Sequence, residues 1–287
     1  MIASTGRHRG RAVRSGPRWP AAVLVAVAAV LAGLVPPTPT PAPAATPAAT
    51  GAPTISYLRV EVLATYPHDR GAFTQGLELH DGLLYESTGR YGLSDVRVTE
   101  VETGRVRHRV RLPDETFGEG LTLVGDMIWQ LTWQEGFTFA RDRVTFAEHG
   151  RIPYDGEGWG VCHDPGSGRL AMSNGSDRLT FRDPESFAPL GTVQVRLDGS
   201  PLQMLNELEC VDGKVWANVW LTDQIVRIDP ATGAVDAVVD ATGLLAAPER
   251  AGADVLNGIA AVPGTGTFLI TGKLWPTMFL VQFVPAD

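Results

Sequence analysis

The chain has 287 residues, 24 basic and 32 acidic side chains, a net charge of −8, two cysteines and 44% hydrophobic residues. That length and composition suit a folded domain with an ample core, and the acidic balance argues against nucleic acid as a partner. Six scattered histidines (His8, His68, His80, His108, His149, His163), with no His-x-x-x-His or Cys-x-x-Cys spacing, argue against a catalytic zinc site, and neither Gly-x-Ser-x-Gly nor a phosphate loop occurs.

The chain opens with Arg7, Arg9, Arg11, Arg14 and Arg18 ahead of an apolar run from Ala21 to Val35, and no acidic residue precedes Glu61. A basic region followed by a short apolar stretch predicts an export signal or N-terminal anchor over 1–35. Ala42-Pro43-Ala44 is a possible cleavage site. The Pro/Ala/Thr-rich stretch 36–53 reads as a stiff linker, and 54–287 as one domain. Without the five arginines the remainder stands at −13. The protein is therefore expected outside the cytoplasm, secreted or tethered at the outer face of the membrane, and monomeric, with no membrane contact beyond the possible anchor.

Beyond the linker, Tyr57–Leu63 alternates as "YLRVEVL", and then a unit recurs five times at a period of roughly 40 to 50 residues. Its heads are Gln75-Gly76, Glu119-Gly120, Trp159-Gly160, Asn206-Glu207 and Asn257-Gly258. Behind them run segments such as "LELHDGLLYES", "LTLVGDMIWQLTW" and "LECVDGKVWANVW", with apolar residues at period two and Asp-Gly or Gly-Asp pairs between them. Antiparallel hairpins have that pattern, and no 3.6-residue period persists long enough for a helix. Asp95, Asp177 and Asp223 announce a third strand. Sheets that cannot bury both faces alone must stack around an axis, so the sequence predicts an all-β, five-bladed β-propeller. The last unit shows three strand-like runs, "GIAAV", "TFLIT" and "MFLVQFV", and its missing outer strand is assigned to Tyr57–Leu63, the N-terminal strand completing the last blade.

Innermost strands of a propeller converge at one mouth, where the heads place an acid, three amides and an indole. Single amides at such positions ordinarily satisfy water and backbone groups; the set with its aromatic neighbours reads as a binding site. Those neighbours are Phe73 and Phe117, two residues before their heads, and Trp133 and Trp220 at equivalent strand ends. Trp129 and Trp216, four residues earlier, read as core between blades. Glu119 among aromatic side chains should have a raised pKa, suited to proton transfer, whereas its plain alternative role is to cap strand-end amides. Lys273, one of only two lysines, either neutralises Glu119 or donates to substrate. Two cysteines in an exported protein invite a disulfide, but aligning "GVCHD" with "ELECVD" sets Cys162 and Cys210 one position out of register, facing opposite sides of neighbouring blades, which disfavours the pairing without deciding it.

The motifs "YPHDRGAFTQGLEL", "FGEGLTL", "IWQLTW", "GEGWG", "LNELE", "VWANVW", "LNGIA" and "TGKLWP" resemble the plant and bacterial type of glutaminyl-peptide cyclotransferase, from about Tyr66 to the C-terminus. The resemblance implies a five-bladed propeller without catalytic metal or cofactor, acting on peptides or proteins that begin with glutamine. It carries Phe73, Gln75, Phe117, Trp133, Trp159 and Trp220 over as substrate-binding residues and Glu119, Asn206 and Lys273 as catalytic ones. The implied reaction is attack of the glutamine α-amine on its own γ-carboxamide, forming pyroglutamate and ammonia, with Glu119 as proton shuttle and Asn206, Gln75 or Lys273 at the oxyanion. Residues after the first are expected to matter little. The alternatives are a peptide-binding propeller without chemistry, and a lactonase-like propeller whose metal would draw on Glu119, Asn206 and Asn257.

Overall fold

The apolar residues that alternate along the repeats form strands throughout the computed structural model, which describes residues 54–286; the leader, linker and cleavage site expected within 1–53 lie outside the described residues. The chain begins with β1 (Ser56–Pro67). Three four-stranded antiparallel sheets follow in strict sequence order. The first is β2 (Thr74–His80), β3 (Leu83–Thr88), β4 (Asp95–Glu100) and β5 (Val106–Arg111), and the second is β6 (Gly118–Val124), β7 (Met127–Thr132), β8 (Phe137–Asp142) and β9 (Glu148–Pro153). The third comprises β10 (Val161–Asp164), β11 (Arg169–Met172), β12 (Arg178–Arg182) and β13 (Pro189–Gln194), followed by a small hairpin of β14 (Arg196–Leu197) and β15 (Ser200–Pro201).

The remaining strands form one eight-stranded sheet. One half is β16 (Leu205–Val211), β17 (Lys214–Val219), β18 (Gln224–Ile228) and β19 (Val235–Asp240); the other is β20 (Leu256–Val262), β21 (Thr267–Gly272) and β22 (Thr277–Pro285) with β1 outermost. The expected pairing of the chain's two ends is present, from Leu58 opposite Pro285 to Pro67 opposite Thr277. Unforeseen is the parallel pairing of Ser56–Arg59 with Ala237–Asp240, which joins the halves. The only helical turn among the described residues is the short 3-10 segment Ala247–Glu249. The fold is all-β and propeller-like.

Core residues cluster between successive sheets rather than within them. Val161, Leu170 and Met172 pack on Trp129 and Leu131, while Leu179 and Phe181 pack on Val215 and Val226. Trp129 and Trp216 are buried in such layers as expected. First strands neighbour one another in turn, β2 with β6, β6 with β10, β10 with β16, β16 with β20 and β20 with β2. Their approach requires glycine: a Cβ on Gly120 would lie 2.7 Å from the Trp159 carbonyl, and one on Gly160 would lie 2.2 Å from the Asn206 carbonyl. Four heads also sit at register shifts, at Thr74/Gly76, Gly118/Leu121, Leu205/Leu208 and Leu256/Ile259. Such bulges re-aim side chains out of the ladder.

Below the heads, buried carboxylates link first strands of different repeat units. Glu207 accepts hydrogen bonds from Leu77 N (3.3 Å) and Ile259 N (2.9 Å), Glu209 from Ala261 N (2.9 Å) and Glu78 from Leu123 N (2.9 Å). Burial, reinforced by the charges of Glu209 and Glu78 on Glu207 and of Glu78 on Glu209, pushes Glu207 and Glu209 well above the usual carboxylate range, and burial pushes Glu78 up to about 7. A pKa raised on folding contributes stability that is complete below the unfolded value and is lost as pH rises through the folded one. Glu78→Gln is therefore expected to gain stability relative to wild type between pH 4.5 and about 7. Denaturant titrations across that window check this, and a pH-independent difference between the two proteins would refute it.

The structure corrects the expectation for the cysteines. Cys162 and Cys210 form a disulfide with Cα atoms 5.3 Å apart. They do lie on opposite faces of their strands, but adjacent sheets present opposite faces to the layer they share, so opposite parity brings the two sulfurs together. Both pack into the same cluster between β10–β13 and β16–β19. The bond spans 48 residues, a separation for which disulfides typically stabilise by about 2–4 kcal/mol.

Candidate active site

The mouth to which the heads point opens into a cavity of about 420 Å³. Phe73, Gln75, Phe117, Glu119, Trp133, Trp159, Asn206, Trp220 and Lys273 all line it, so the structure brings these nine to one place. Polar residues form the base: Gln75, Glu119, Asn206 and Lys273 are each at most 5% exposed. Half-buried aromatic side chains form the walls, edge to face or tilted against one another. Ring centroids are 6.3 Å apart for Phe73 and Phe117, 5.5 Å for Phe117 and Trp133, and 5.4 Å for Trp159 and Trp220. Glycines make room for these rings, since a Cβ on Gly89 would lie 2.2 Å from Phe117 and one on Gly175 2.6 Å from Trp159.

Asn257, the fifth head, does not line the cavity. Its Nδ2 donates to the Thr74 carbonyl (3.0 Å) and to Gln75 Oε1 (3.3 Å), and Gln75 Nε2 in turn donates to Glu119 Oε1 (3.0 Å). This relay fixes the Gln75 amide and orients the carboxyl. Burial raises the Glu119 pKa well above the ordinary carboxylate value, opposed by the charge of Lys273 and assisted by those of Glu157 and Glu135. Burial lowers the Lys273 pKa, with Glu119 and Asp254 opposing. The low-dielectric pocket thus draws the acid and the amine toward their neutral forms while each charge steadies the other. The Lys273 ammonium also lies 4.9 Å from the centre of the Phe73 ring, at cation–π distance. Asn206 Oδ1 is buried without a protein partner, an acceptor free to receive an N–H.

The structure adds residues that periodicity did not single out. Glu157 accepts from the indole N–H groups of both Trp133 (2.8 Å) and Trp159 (2.9 Å), tying two walls to one carboxylate. It stands in the quoted "GEGWG" segment, two residues before a head, where its charge was the available signal. Leu221, next to Trp220, and Asp254, on the loop from β19 to β20, line the rim. Behind the Lys273 loop, His68 donates through Nδ1 to the Trp275 carbonyl (2.7 Å) and through Nε2 to Glu86 (3.1 Å). Burial opposes protonation of His68, but the Glu86 charge and hydrogen bonds prevail and raise its pKa. His68 therefore clamps the turn after Lys273 to the first sheet.

The family model described as glutamine cyclotransferase matches residues 35–283. A glutaminyl-peptide cyclotransferase from Arabidopsis thaliana is 38% identical over 240 residues, covering 79% of this chain and 72% of its own. The crystal structure of Myxococcus xanthus glutaminyl cyclase matches with 39% identity and a TM-score of 0.75, over 81% of this chain and 100% of that one.

Proposed function

The chain belongs to the glutamine cyclotransferase family, and from that premise we propose that it cyclises the N-terminal glutamine of peptides or proteins to pyroglutamate with release of ammonia, using the cavity at the mouth of a five-bladed propeller. The blade count takes the two halves of the eight-stranded sheet as separate blades, the last completed by β1. One observation carries the functional reading: a desolvated carboxyl and a buried lysine share an aromatic-walled cavity with a free amide acceptor.

In this reading the aromatic walls hold the glutamine side chain folded back on its own amine, removing conformational freedom before the reaction begins. An α-amine of pKa about 7.7–8.0 is already partly neutral near pH 7.5, so it needs only modest help from a base. Its nitrogen attacks the carbonyl carbon of the γ-carboxamide. Glu119 takes the proton that the amine must lose and returns it to the departing nitrogen, so that ammonia rather than amide ion leaves. A carboxyl with an elevated pKa suits both directions of that transfer. Gln75 is occupied in orienting Glu119, so the oxyanion falls to Lys273, the strongest donor of the base by charge. Asn206 Oδ1 accepts from the carboxamide N–H₂ and distinguishes glutamine from glutamate. All nine residues come from one chain, so a monomer suffices.

The leader implies export, and the Cys162–Cys210 disulfide supports that placement because such bonds persist in oxidising compartments. The deciding experiment is mass spectrometry of a Gln-initiated peptide incubated with the protein, which should lose one ammonia; an unchanged mass would overturn the reading. The proposed steps draw their charge from Glu119 and Lys273 rather than from a Lewis acid. Prolonged incubation with EDTA is accordingly expected to leave turnover intact. Loss of activity in EDTA with recovery on adding zinc or calcium, the fold persisting throughout, would refute metal-independent catalysis.

A further inference from the structure

A second cleft of about 390 Å³ adjoins the first, and Asp254 lines both. Leu221 stands on the first cavity and Asp223, two residues later on the same turn, on the second. The second cleft has apolar walls, Leu244, Leu245 and Trp275, and a polar rim that includes Asp223, Arg250 and Asp254. Its volume is in the range of specific ligand sites, and its lining mixes apolar side chains with charged groups.

This cleft is anchored to the first site through main-chain bonds. The loop crossing from β19 to β20 forms its far side. Ala241 N donates to the Asp223 carbonyl (2.9 Å), and Arg250 Nε to the Leu245 carbonyl (2.9 Å). At the dividing wall, Asp254 N donates to the carbonyl of Lys273 (2.8 Å), and the Trp275 indole N–H to the carbonyl of Asp254 (2.8 Å). The wall between the clefts is thus built on the backbone of a residue at the base of the first.

The rim between them is also conformationally costly. Leu221, on that rim, has φ +65°, a left-handed backbone that bulky side chains avoid; Met204, which lines neither cleft, has φ +67°, and its carbonyl accepts from Trp220 N (2.8 Å). Both side chains are nonetheless exposed, Leu221 at 64%. Strained backbone that holds apolar side chains in solvent beside a cavity points to a ligand crossing that rim.

We propose that the second cleft binds residues two to four of the peptide substrate, with the chain crossing the rim at Leu221 and Asp254. This rests on the cyclase reading of the first cavity. The base of that cavity is closed by Gln75, Asn206 and Lys273, so the remainder of a peptide whose first residue is held there must leave through the mouth, and the second cleft offers a continuous wall at that point. An extended chain advances about 3.3–3.6 Å per residue. The expectation that later residues matter little, which took the mouth to open directly to solvent, is replaced by a dependence on peptide length.

The test measures kcat/KM for Gln-amide and for amidated Gln-Ala, Gln-Ala-Ala and Gln-Ala-Ala-Ala, a series that varies length without side-chain chemistry. The value is expected to rise about tenfold from first to last, equivalent to about 1.4 kcal/mol, chiefly through a falling KM. Ala253→Trp, which places an indole in the second cleft, is expected to abolish that rise. A flat series for the wild-type protein would overturn the proposal, whether or not the variant folds. So would a rise that survives in a folded Ala253→Trp protein. Absence of ammonia from every peptide would instead overturn the cyclase reading on which the proposal rests.

Discussion

Glu119→Gln is expected to lower kcat by about 10²–10⁴-fold, the usual contribution of a positioned acid or base. The substitution keeps the shape of the side chain and still offers an oxygen to the Gln75 amide, so the cavity should persist, while the group that accepts and returns the proton is gone. KM should change little, since the aromatic walls and Lys273 remain. Folding should not suffer. A carboxyl whose pKa is raised on burial contributes stability below its unfolded pKa and loses it as pH rises, so a neutral amide removes a cost at neutral pH. Steady-state kinetics beside a thermal melt separate these effects, and near-wild-type turnover in a folded Glu119→Gln protein would end the shuttle assignment. The wild-type kcat/KM should fall on acidification as Glu119 and the substrate amine both take up protons, and the variant should lose the part due to Glu119.

N-acetyl-Gln peptides and Asn-initiated peptides are expected to release no ammonia under conditions in which the Gln-initiated peptide is fully converted. Acetylation delocalises the nitrogen lone pair that must attack, and asparagine would close a ring one atom smaller and more strained. Both analogues keep a primary carboxamide and would enter an aromatic cavity. They therefore separate intramolecular cyclisation from general amide hydrolysis, which needs neither a free amine nor a particular ring size. Coupled ammonia detection is sufficient, and release from the acetylated peptide at a rate comparable to the free one would show an amidase. Binding of either analogue against Trp133, Trp159 and Trp220 should still perturb tryptophan fluorescence, so a silent reaction is distinguishable from a failure to bind.

The repeat made much of the site legible. Gln75, Glu119, Trp159 and Asn206 occupy one position in successive copies of the same hairpin, and copies packed around an axis bring equivalent positions together. Phe73, Phe117, Trp133 and Trp220 have fixed offsets from that position, so they follow the heads into the same cavity. Asn257 shares the repeat position but turns aside to hold Gln75, because repetition places a backbone and not a rotamer. Asp254 lies on the connection from β19 to β20, Glu157 puts a charge at the offset where Phe73 and Phe117 carry a ring, and nothing local announced that two indoles would turn toward it.

Alternation at period two, turn residues at regular intervals and glycines at the heads were sufficient to determine an all-β chain of repeated hairpins, because pleat parity and backbone clearance are local properties. The end strand's antiparallel partner was legible for the same reason: one unit lacked a strand and one strand lacked a unit. Only the tertiary structure decided what happens between sheets. It set Cys162 against Cys210, since which face of a strand meets which neighbour depends on how sheets stack and not on parity within a strand. It set Ser56–Arg59 beside β19, and it placed the loop through Asp254 against Lys273, where it divides one cleft from the next. The pKa values of Glu119 and Lys273 belong to the same category: their residue types are written in the chain, but desolvation and the charges that surround them exist only once distant strands have enclosed them.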